Sequence, residues 1–216
     1  MKKVLWLLAL MGIILAGCSE DGTLRITNNS NYSAWFQLGS GGSTNNLNSG
    51  QVYEKDYTLS TSIFGDEDKK VTVYYGGDFV FSNQVNKTIR PGSTSKVNIY
   101  SDAGVIRLEN ETYYDIVEVY LSPCDDTSWG DNNLTGTIGY NEYVEWLVSP
   151  GCWDVKFYDE DGSYYIIWEI YIDIEDTYTI TFVPSMKGSK NGDDVKAINA
   201  LQCKTETIDK CEQKER

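Results

Sequence analysis

Gly22-Thr23-Leu24-Arg25-Ile26-Thr27-Asn28-Asn29-Ser30-Asn31-Tyr32 returns later in the chain as Gly104-Val105-Ile106-Arg107-Leu108-Glu109-Asn110-Glu111-Thr112-Tyr113-Tyr114. The Gly, Arg, Asn and final Tyr positions are identical, and Leu exchanges with Ile and Ser with Thr. A repeat of about 80 residues is a whole domain, not a solenoid unit. The sequence therefore predicts two copies of one domain, over residues 22–101 and 104–184. The alternative is a chance similarity between two first strands, since the copies diverge afterwards.

Both copies alternate apolar and polar residues with a period of two, which is typical of β-strands. Turn sequences separate the runs: a polar loop over residues 39–50, a hairpin at Gly76-Gly77 and a β-turn at Pro91-Gly92. The pattern predicts an all-β protein of two tandem small β-sandwiches of immunoglobulin-like size, with a short C-terminal helical or irregular appendage. One long predicted strand places a row of five side chains on a single face: Tyr164, Ile166, Trp168, Ile170 and Ile172. Trp153 and Trp168 are predicted to be core residues.

The N-terminus carries two lysines, an apolar run from Val4 to Ala16, and the sequence Leu15-Ala16-Gly17-Cys18. This is the layout of a secretory signal peptide, and the run is too short for a membrane span, which needs about 20 residues. It resembles the lipobox of bacterial lipoproteins. The resemblance implies that residues 1–17 are removed, that Cys18 is lipidated, and that residues 18–21 form a short tether. The alternative is a plain signal peptide with a chance Cys.

Charge excludes one class of partner. The chain has 18 basic and 32 acidic residues, and loss of Lys2 and Lys3 with the signal leaves 16 against 32, a net charge of −16. Nucleic acids are bound through Lys and Arg that neutralise phosphates. We therefore expect no nucleic-acid binding. The expected location is the bacterial cell envelope, where we favour the outer membrane or cell surface over the inner membrane. The expected partner, besides the membrane itself, is a protein or a glycan.

The four remaining cysteines, Cys124, Cys152, Cys203 and Cys211, form an even set, as in extracytoplasmic disulfide proteins. Three pairings are possible. We favour Cys124 with Cys152 and Cys203 with Cys211, because each pair lies inside one apparent structural unit, the second being a linker and clipped tail over residues 185–216. A zinc site is the rival, but the chain has no His and no C-x-x-C spacing.

The second copy also contains Ser122-Pro123, then Trp129-Gly130-x-Asn132-x-Leu134, and later Gly151-x-x-Asp154-Val155 before an acidic turn. This string resembles a repeat of uncharacterised bacterial secreted and lipid-anchored proteins. The resemblance implies an extracytoplasmic β-sandwich without catalytic activity. The first copy lacks the Ser-Pro and Trp-Gly parts, so a shared function of the two copies does not follow.

Catalysis has little support, because the chain has no His and therefore no Ser-His-Asp or Cys-His site. Paired carboxylates, as in glycoside hydrolases, remain the enzyme alternative. Oxygen ligands for calcium could come from the acidic loops, although Asp-Glu-Asp-Gly is also a good hairpin turn; the candidates are Asp125, Asp126, Asp131, Asp159 and Asp161. We expect no cofactor and a non-catalytic binding or interaction module, with a carbohydrate-binding module as the alternative.

Overall fold

A computed structural model describes residues 18–61 and 65–188, whose regular secondary structure is strand apart from one short 3-10 helix. The all-β fold class is confirmed. Within the described part, no helix has the length and apolar character needed to cross a membrane. The elements are β1 Cys18–Asn28, β2 Ala34–Leu38, β3 Thr44–Leu47, β4 Val52–Thr61, β5 Lys69–Gly77, β6 Val80–Ile89, β7 Thr94–Ile99, β8 Gly104–Asn110, β9 Ile116–Pro123, β10 Glu142–Val148, β11 Gly151–Asp159, β12 Tyr164–Ile172, β13 Thr177–Phe182 and the 3-10 helix Pro184–Gly188.

The chain divides into two compact units, Met1–Asp102 and Ala103–Arg216. Unit 1 has a three-stranded sheet in the order β4-β1-β7 and a four-stranded sheet in the order β3-β2-β5-β6. Unit 2 has two three-stranded sheets, β10-β8-β13 and β12-β11-β9. The finer bounds expected from the repeat, residues 22–101 and 104–184, stay a prediction.

The two units share a strand arrangement. In unit 1, β1 pairs antiparallel with β4 and parallel with β7; in unit 2, β8 pairs antiparallel with β10 and parallel with β13. Arg25 on β1 lies opposite Glu54 and forms an ion pair with it, and Arg107 on β8 lies opposite Glu145 and does the same. The two arginines of the repeat therefore occupy equivalent places.

A buried asparagine at the end of the first strand organises the next turn in each unit. The side-chain amide of Asn28 donates to the carbonyls of Tyr32 and Leu47, at 2.8 and 2.9 Å. Asn110 donates in the same way to Tyr114 and Ile138, both at 2.8 Å. Each side-chain oxygen also accepts from the residue two positions on, Ser30 or Thr112. A buried amide that satisfies both its donors and its acceptor fixes the local chain path.

Each unit has its own apolar core between its sheets. Fully buried members in unit 1 include Leu24, Ile26 and Phe36, and in unit 2 Leu108, Phe157 and Phe182. Because side chains on a strand alternate between faces, a core residue on one position assigns its neighbours to the outer face. This alternation decides which side chains are available for binding.

Several expectations differ from the structure. The expected tether, residues 18–21, is the start of β1, where Cys18 pairs with Thr61 and the Thr58 hydroxyl donates to Asp21 at 2.8 Å. The hairpin turn falls at Asp78 and Phe79, while Gly76 and Gly77 belong to β5. Part of the predicted polar loop is β3, because its asparagines pair with β2. The predicted appendage lies largely outside the described residues, apart from the 3-10 helix.

Candidate functional site

The strand β12 contains a β-bulge. Trp153 on β11 pairs with Ile170, and Val155 pairs with Ile167, so Trp168 and Glu169 together lie opposite the single residue Asp154. Glu169 has a φ of 57°, in the left-handed region that residues other than glycine rarely adopt. Bulges of this kind change the direction of side chains and are frequent beside functional sites.

The bulge corrects the prediction that one face of β12 carries five side chains in a row. Up to Trp168 the predicted face points outward, whereas Ile170 and Ile172, beyond the bulge, are in the core. Trp168 is 42% exposed, so its prediction as a core residue was wrong. Trp153 is partly buried against the core, and its indole N–H donates to the Ser149 carbonyl at 2.8 Å.

Asp154 holds the bulge in place. Its side chain is buried, and its Oδ1 accepts the backbone N–H of Glu169 at 2.8 Å. The same oxygen lies 3.6 Å from the Sγ of Cys124. A disulfide joins Cys124 to Cys152, with a Cα–Cα distance of 5.4 Å; this is the pairing that the sequence favoured. The Asp154 carboxylate thus contacts both the disulfide and the bulge, and it links the two.

Hydrogen bonds also fix the loop between β9 and β10. The Ser122 hydroxyl donates to the Ser128 carbonyl at 2.8 Å. Asn132 Oδ1 accepts the backbone N–H groups of Val119 and Leu134, at 3.0 and 2.9 Å. Gly130 has a φ of 67° and Leu134 is buried. Gly130, Asn132 and Leu134 of the Trp-Gly-x-Asn-x-Leu string therefore each have a structural role in the loop. The tryptophan, Trp129, instead makes contacts outside the loop.

Trp129 contacts the indole of Trp168, and the ammonium group of a lysine lies over its ring. The two indoles have centroids 5.6 Å apart and are tilted by 47°. The ammonium of Lys156 on β11 lies 4.9 Å from the ring centroids of Trp129 and Tyr120 and 5.4 Å from that of Tyr158. A cation over aromatic faces is attracted by their quadrupoles. We call Tyr120, Trp129, Lys156, Tyr158 and Trp168 the aromatic corner.

Glu118 orients one ring of the aromatic corner. The Tyr120 hydroxyl donates to Glu118 Oε2 at 2.7 Å. This hydrogen bond to the carboxylate, with smaller contributions from burial and from the negative charge of Glu118, raises the pKa of Tyr120 above its usual value. Loss of the phenolic proton would remove the donor and place two negative charges side by side. The hydrogen bond therefore fixes the Tyr120 ring for as long as the phenol keeps its proton.

Within the described residues, the five calcium candidates are not brought together as one group of ligands. The Asp159 carboxylate is buried and accepts from the backbone N–H groups of Asp161 and Ser163 and from the Tyr165 hydroxyl. Asp126 Oδ1 accepts the N–H of Ser128. Over residues 18–61 and 65–188, no group of three or more His, Cys, Asp or Glu side chains is placed to hold a metal ion. Asp125 and Asp131 are exposed loop residues. Cys203 and Cys211 lie outside the described residues.

Sequence reasoning missed the aromatic corner because it depends on the bulge. Alternation alone assigns Trp168 to the same face as Ile170. The available signal was the Trp129 string, since a loop with that many turn-forming and capping residues around one tryptophan indicates a fixed presentation. The strands β2, β4 and β10 were also missed. Apolar side chains on the outer face obscure the alternation in β2 and β10, and polar side chains obscure it in β4.

No protein-family model matches this sequence, and a search of curated proteins finds no match either. Solved structures match at low similarity. A candidate cell adhesion protein from Bacteroides ovatus is 10% identical over 74% of this chain and 91% of its own, with a TM-score of 0.32. A protein from Eubacterium rectale is 18% identical over 39% of this chain and 82% of its own, with a TM-score of 0.30.

The Bacillus anthracis TIE protein is 10% identical over 76% of this chain, with a TM-score of 0.30, and this chain spans only 33% of its length. Similarities at this level support no functional conclusion.

Proposed function

We propose that the protein is a lipid-anchored, extracytoplasmic binding module without catalytic activity, and that unit 2 contacts a protein partner through the aromatic corner. Lipidation of Cys18 anchors the chain at the outer membrane or cell surface. The chain has no His, which supports the non-catalytic part of the proposal, because the usual general base is missing.

One observation carries the proposal: Trp168 is kept exposed by a left-handed residue, a buried carboxylate and a disulfide. Strained backbone of this kind persists only where the surroundings hold it, and it concentrates at functional sites. Burying Trp168 in the core would remove apolar surface from water and would stabilise the fold. The fold instead supports the exposed position.

The composition of the aromatic corner favours a protein partner. Tryptophan and tyrosine dominate the energetic centres of protein interfaces, and fixed side chains lose less entropy on binding. Here the two indoles contact each other at an angle, and three rings surround a lysine. The Cys124–Cys152 disulfide supports the extracytoplasmic location, because disulfides persist in oxidising compartments.

The anchor is tested by replacing Cys18 with Ser. The precursor should remain unprocessed and should incorporate no labelled palmitate. Incorporation of palmitate into the mature C18S protein would refute lipidation at this residue. The unchanged precursor with its native Cys18, labelled in the same experiment, is the control.

The binding surface is tested by cross-linking the native lipoprotein in intact cells and identifying its partners. Trp168→Ala should reduce recovery of a specific cross-linked partner by about tenfold, since a central aromatic anchor is commonly worth 2 kcal/mol or more. Ile174→Ala is the matched control, because Ile174 is 53% exposed and lies in the turn after β12. Equal recovery with both variants would refute the aromatic corner as the contact surface.

A further inference from the structure

The chain contains a long segment without charge. From Ile26 to Tyr53 there is no Asp, Glu, Lys or Arg, although these make up 23% of the whole sequence. The segment contains β2 and β3. Residues 71–77 of β5 and 80–86 of β6 are uncharged as well. All four strands belong to one sheet of unit 1, and the central part of this sheet carries no charged side chain although the protein has a net charge of −14. The lysines of the sheet, Lys69, Lys70 and Lys87, lie together at one end of β5 and β6.

The outer face of this sheet has a defined composition. Phe36 on β2 and Val73 on β5 are fully buried in the core, so their strand neighbours point outward. The register aligns these neighbours in two rows, Asn46-Trp35-Gly76 and Gln37-Tyr74-Gln84. Asn86 adjoins the second row and accepts a hydrogen bond from Thr72. We call Trp35, Gln37, Asn46, Tyr74, Gln84 and Asn86 the neutral face.

Trp35 lies across the neighbouring strand. A Cβ added to Gly76 would be 2.9 Å from Cζ2, 3.0 Å from Cε2 and 3.1 Å from Nε1 of the Trp35 indole. The ring therefore occupies the space directly above Gly76, where any other residue would place its side chain. An indole in this position forms a low aromatic platform beside Tyr74, and a larger residue at position 76 would displace it.

We propose that the neutral face is a binding site for a neutral polysaccharide. The C–H faces of a sugar ring stack on an aromatic platform, and its hydroxyls both donate and accept hydrogen bonds. Carboxamide side chains do both as well, and the neutral face surrounds its two rings with four of them. An anionic polymer would require Lys or Arg, and a basic peptide would require Asp or Glu; the neutral face provides neither.

This site is separate from the aromatic corner of unit 2. The aromatic corner contains Lys156 and adjoins Glu118 and Glu169, whereas the neutral face has no ionisable group other than the phenol of Tyr74. The proposal therefore does not depend on the protein partner proposed above. A substitution that abolishes polysaccharide binding at the neutral face should leave protein binding at the aromatic corner intact, and the reverse should hold as well.

The test is affinity electrophoresis of the full-length protein in detergent, through gels that contain laminarin, hydroxyethylcellulose, galactomannan or, as the anionic comparison, polygalacturonate. We expect retardation by at least one of the three neutral polymers and none by polygalacturonate. Trp35→Ala should weaken the apparent affinity about tenfold or more, as expected for removal of an aromatic anchor. Gly76→Ala should weaken it too, because the added Cβ displaces the indole.

Two controls separate binding from folding and from the other site. Tyr100→Ala removes an exposed ring of unit 1 outside the neutral face, and Trp168→Ala alters only the aromatic corner; both should bind normally. Trp35→Phe keeps a smaller ring and should retain part of the affinity. Retardation by no neutral polymer, stronger retardation by polygalacturonate, or a Trp35→Ala protein that binds normally would each overturn the proposal. So would a Trp35-dependent dimer in sedimentation, which would identify a second copy as the occupant.

Discussion

Asp154 Oδ1 accepts the backbone N–H of Glu169 at 2.8 Å, and this one hydrogen bond joins the disulfide-bearing end of β11 to the bulge of β12. The acceptor is buried and the donor belongs to a residue with a φ of 57°. A carboxylate gives stronger hydrogen bonds than a neutral acceptor. It can therefore offset the cost of a left-handed non-glycine residue, about 1–3 kcal/mol.

Replacing Asp154 with Ala should destabilise unit 2 by about 1–3 kcal/mol, because the Glu169 N–H loses its partner. The environment of Trp168 should change as well, which tryptophan fluorescence would detect. Asp173→Ala, in the exposed turn after β12, is the control. If the two variants have the same stability and emission, Asp154 does not support the bulge.

Asn28 and Asn110 should be equally important in their own units. Each satisfies two carbonyls and two donors from a fully buried position. Substitution by Ala should therefore cost about 2–4 kcal/mol of unfolding free energy, the sum of several net hydrogen bonds. Denaturant unfolding measures this cost. The control is Asn29→Ala, at an exposed neighbouring position, which should cost less than about 0.5 kcal/mol. If Asn28→Ala cost no more than this control, the role assigned to the buried amide would be wrong.

The repeat predicted the all-β class because its first strand contains the features that both units need. Leu24 and Ile26 fill one core, Ile106 and Leu108 fill the other, and the asparagine forms the same turn in each. These are short-range features, so they are visible in a single sequence. The strand β10 was not predicted, because the apolar side chains of Tyr143 and Leu147 lie exposed on its outer face and obscure the alternation.

The candidate site could not be predicted in the same way. The exposure of Trp168 depends on where β12 shifts register against β11, and a one-residue shift moves every following side chain to the other face. That shift is a property of two strands and a buried Asp154, not of the alternation in β12. The role of Gly76 was likewise misread as a turn, because the indole that requires it belongs to β2.

The hydrogen bond between Tyr120 and Glu118 predicts a pH effect. It raises the pKa of Tyr120, so the folded state holds this proton more tightly than the unfolded state. The contribution to stability is complete below about pH 10, the unperturbed value, and is lost as the pH rises through the raised pKa. Ultraviolet titration of Glu118→Gln against the native protein, with Tyr120→Phe to identify the signal, should show the pKa returning towards about 10. No difference between Glu118→Gln and native titrations would exclude the carboxylate as the cause.

Reduction of the Cys124–Cys152 disulfide should destabilise unit 2 and leave unit 1 unchanged. The bridge closes a separation of 28 residues, which corresponds to about 2–4 kcal/mol, and residues 19–102 contain no cysteine. Denaturant unfolding with and without reductant measures the loss, and Cys124→Ser/Cys152→Ser should reproduce it in oxidising buffer. Because Cys124 also lies against Asp154, reduction should shift the Trp168 emission in the same direction as Asp154→Ala. Peptide mapping of unreduced protein checks the pairing directly, and a bond from Cys124 or Cys152 to Cys203 or Cys211 would contradict it.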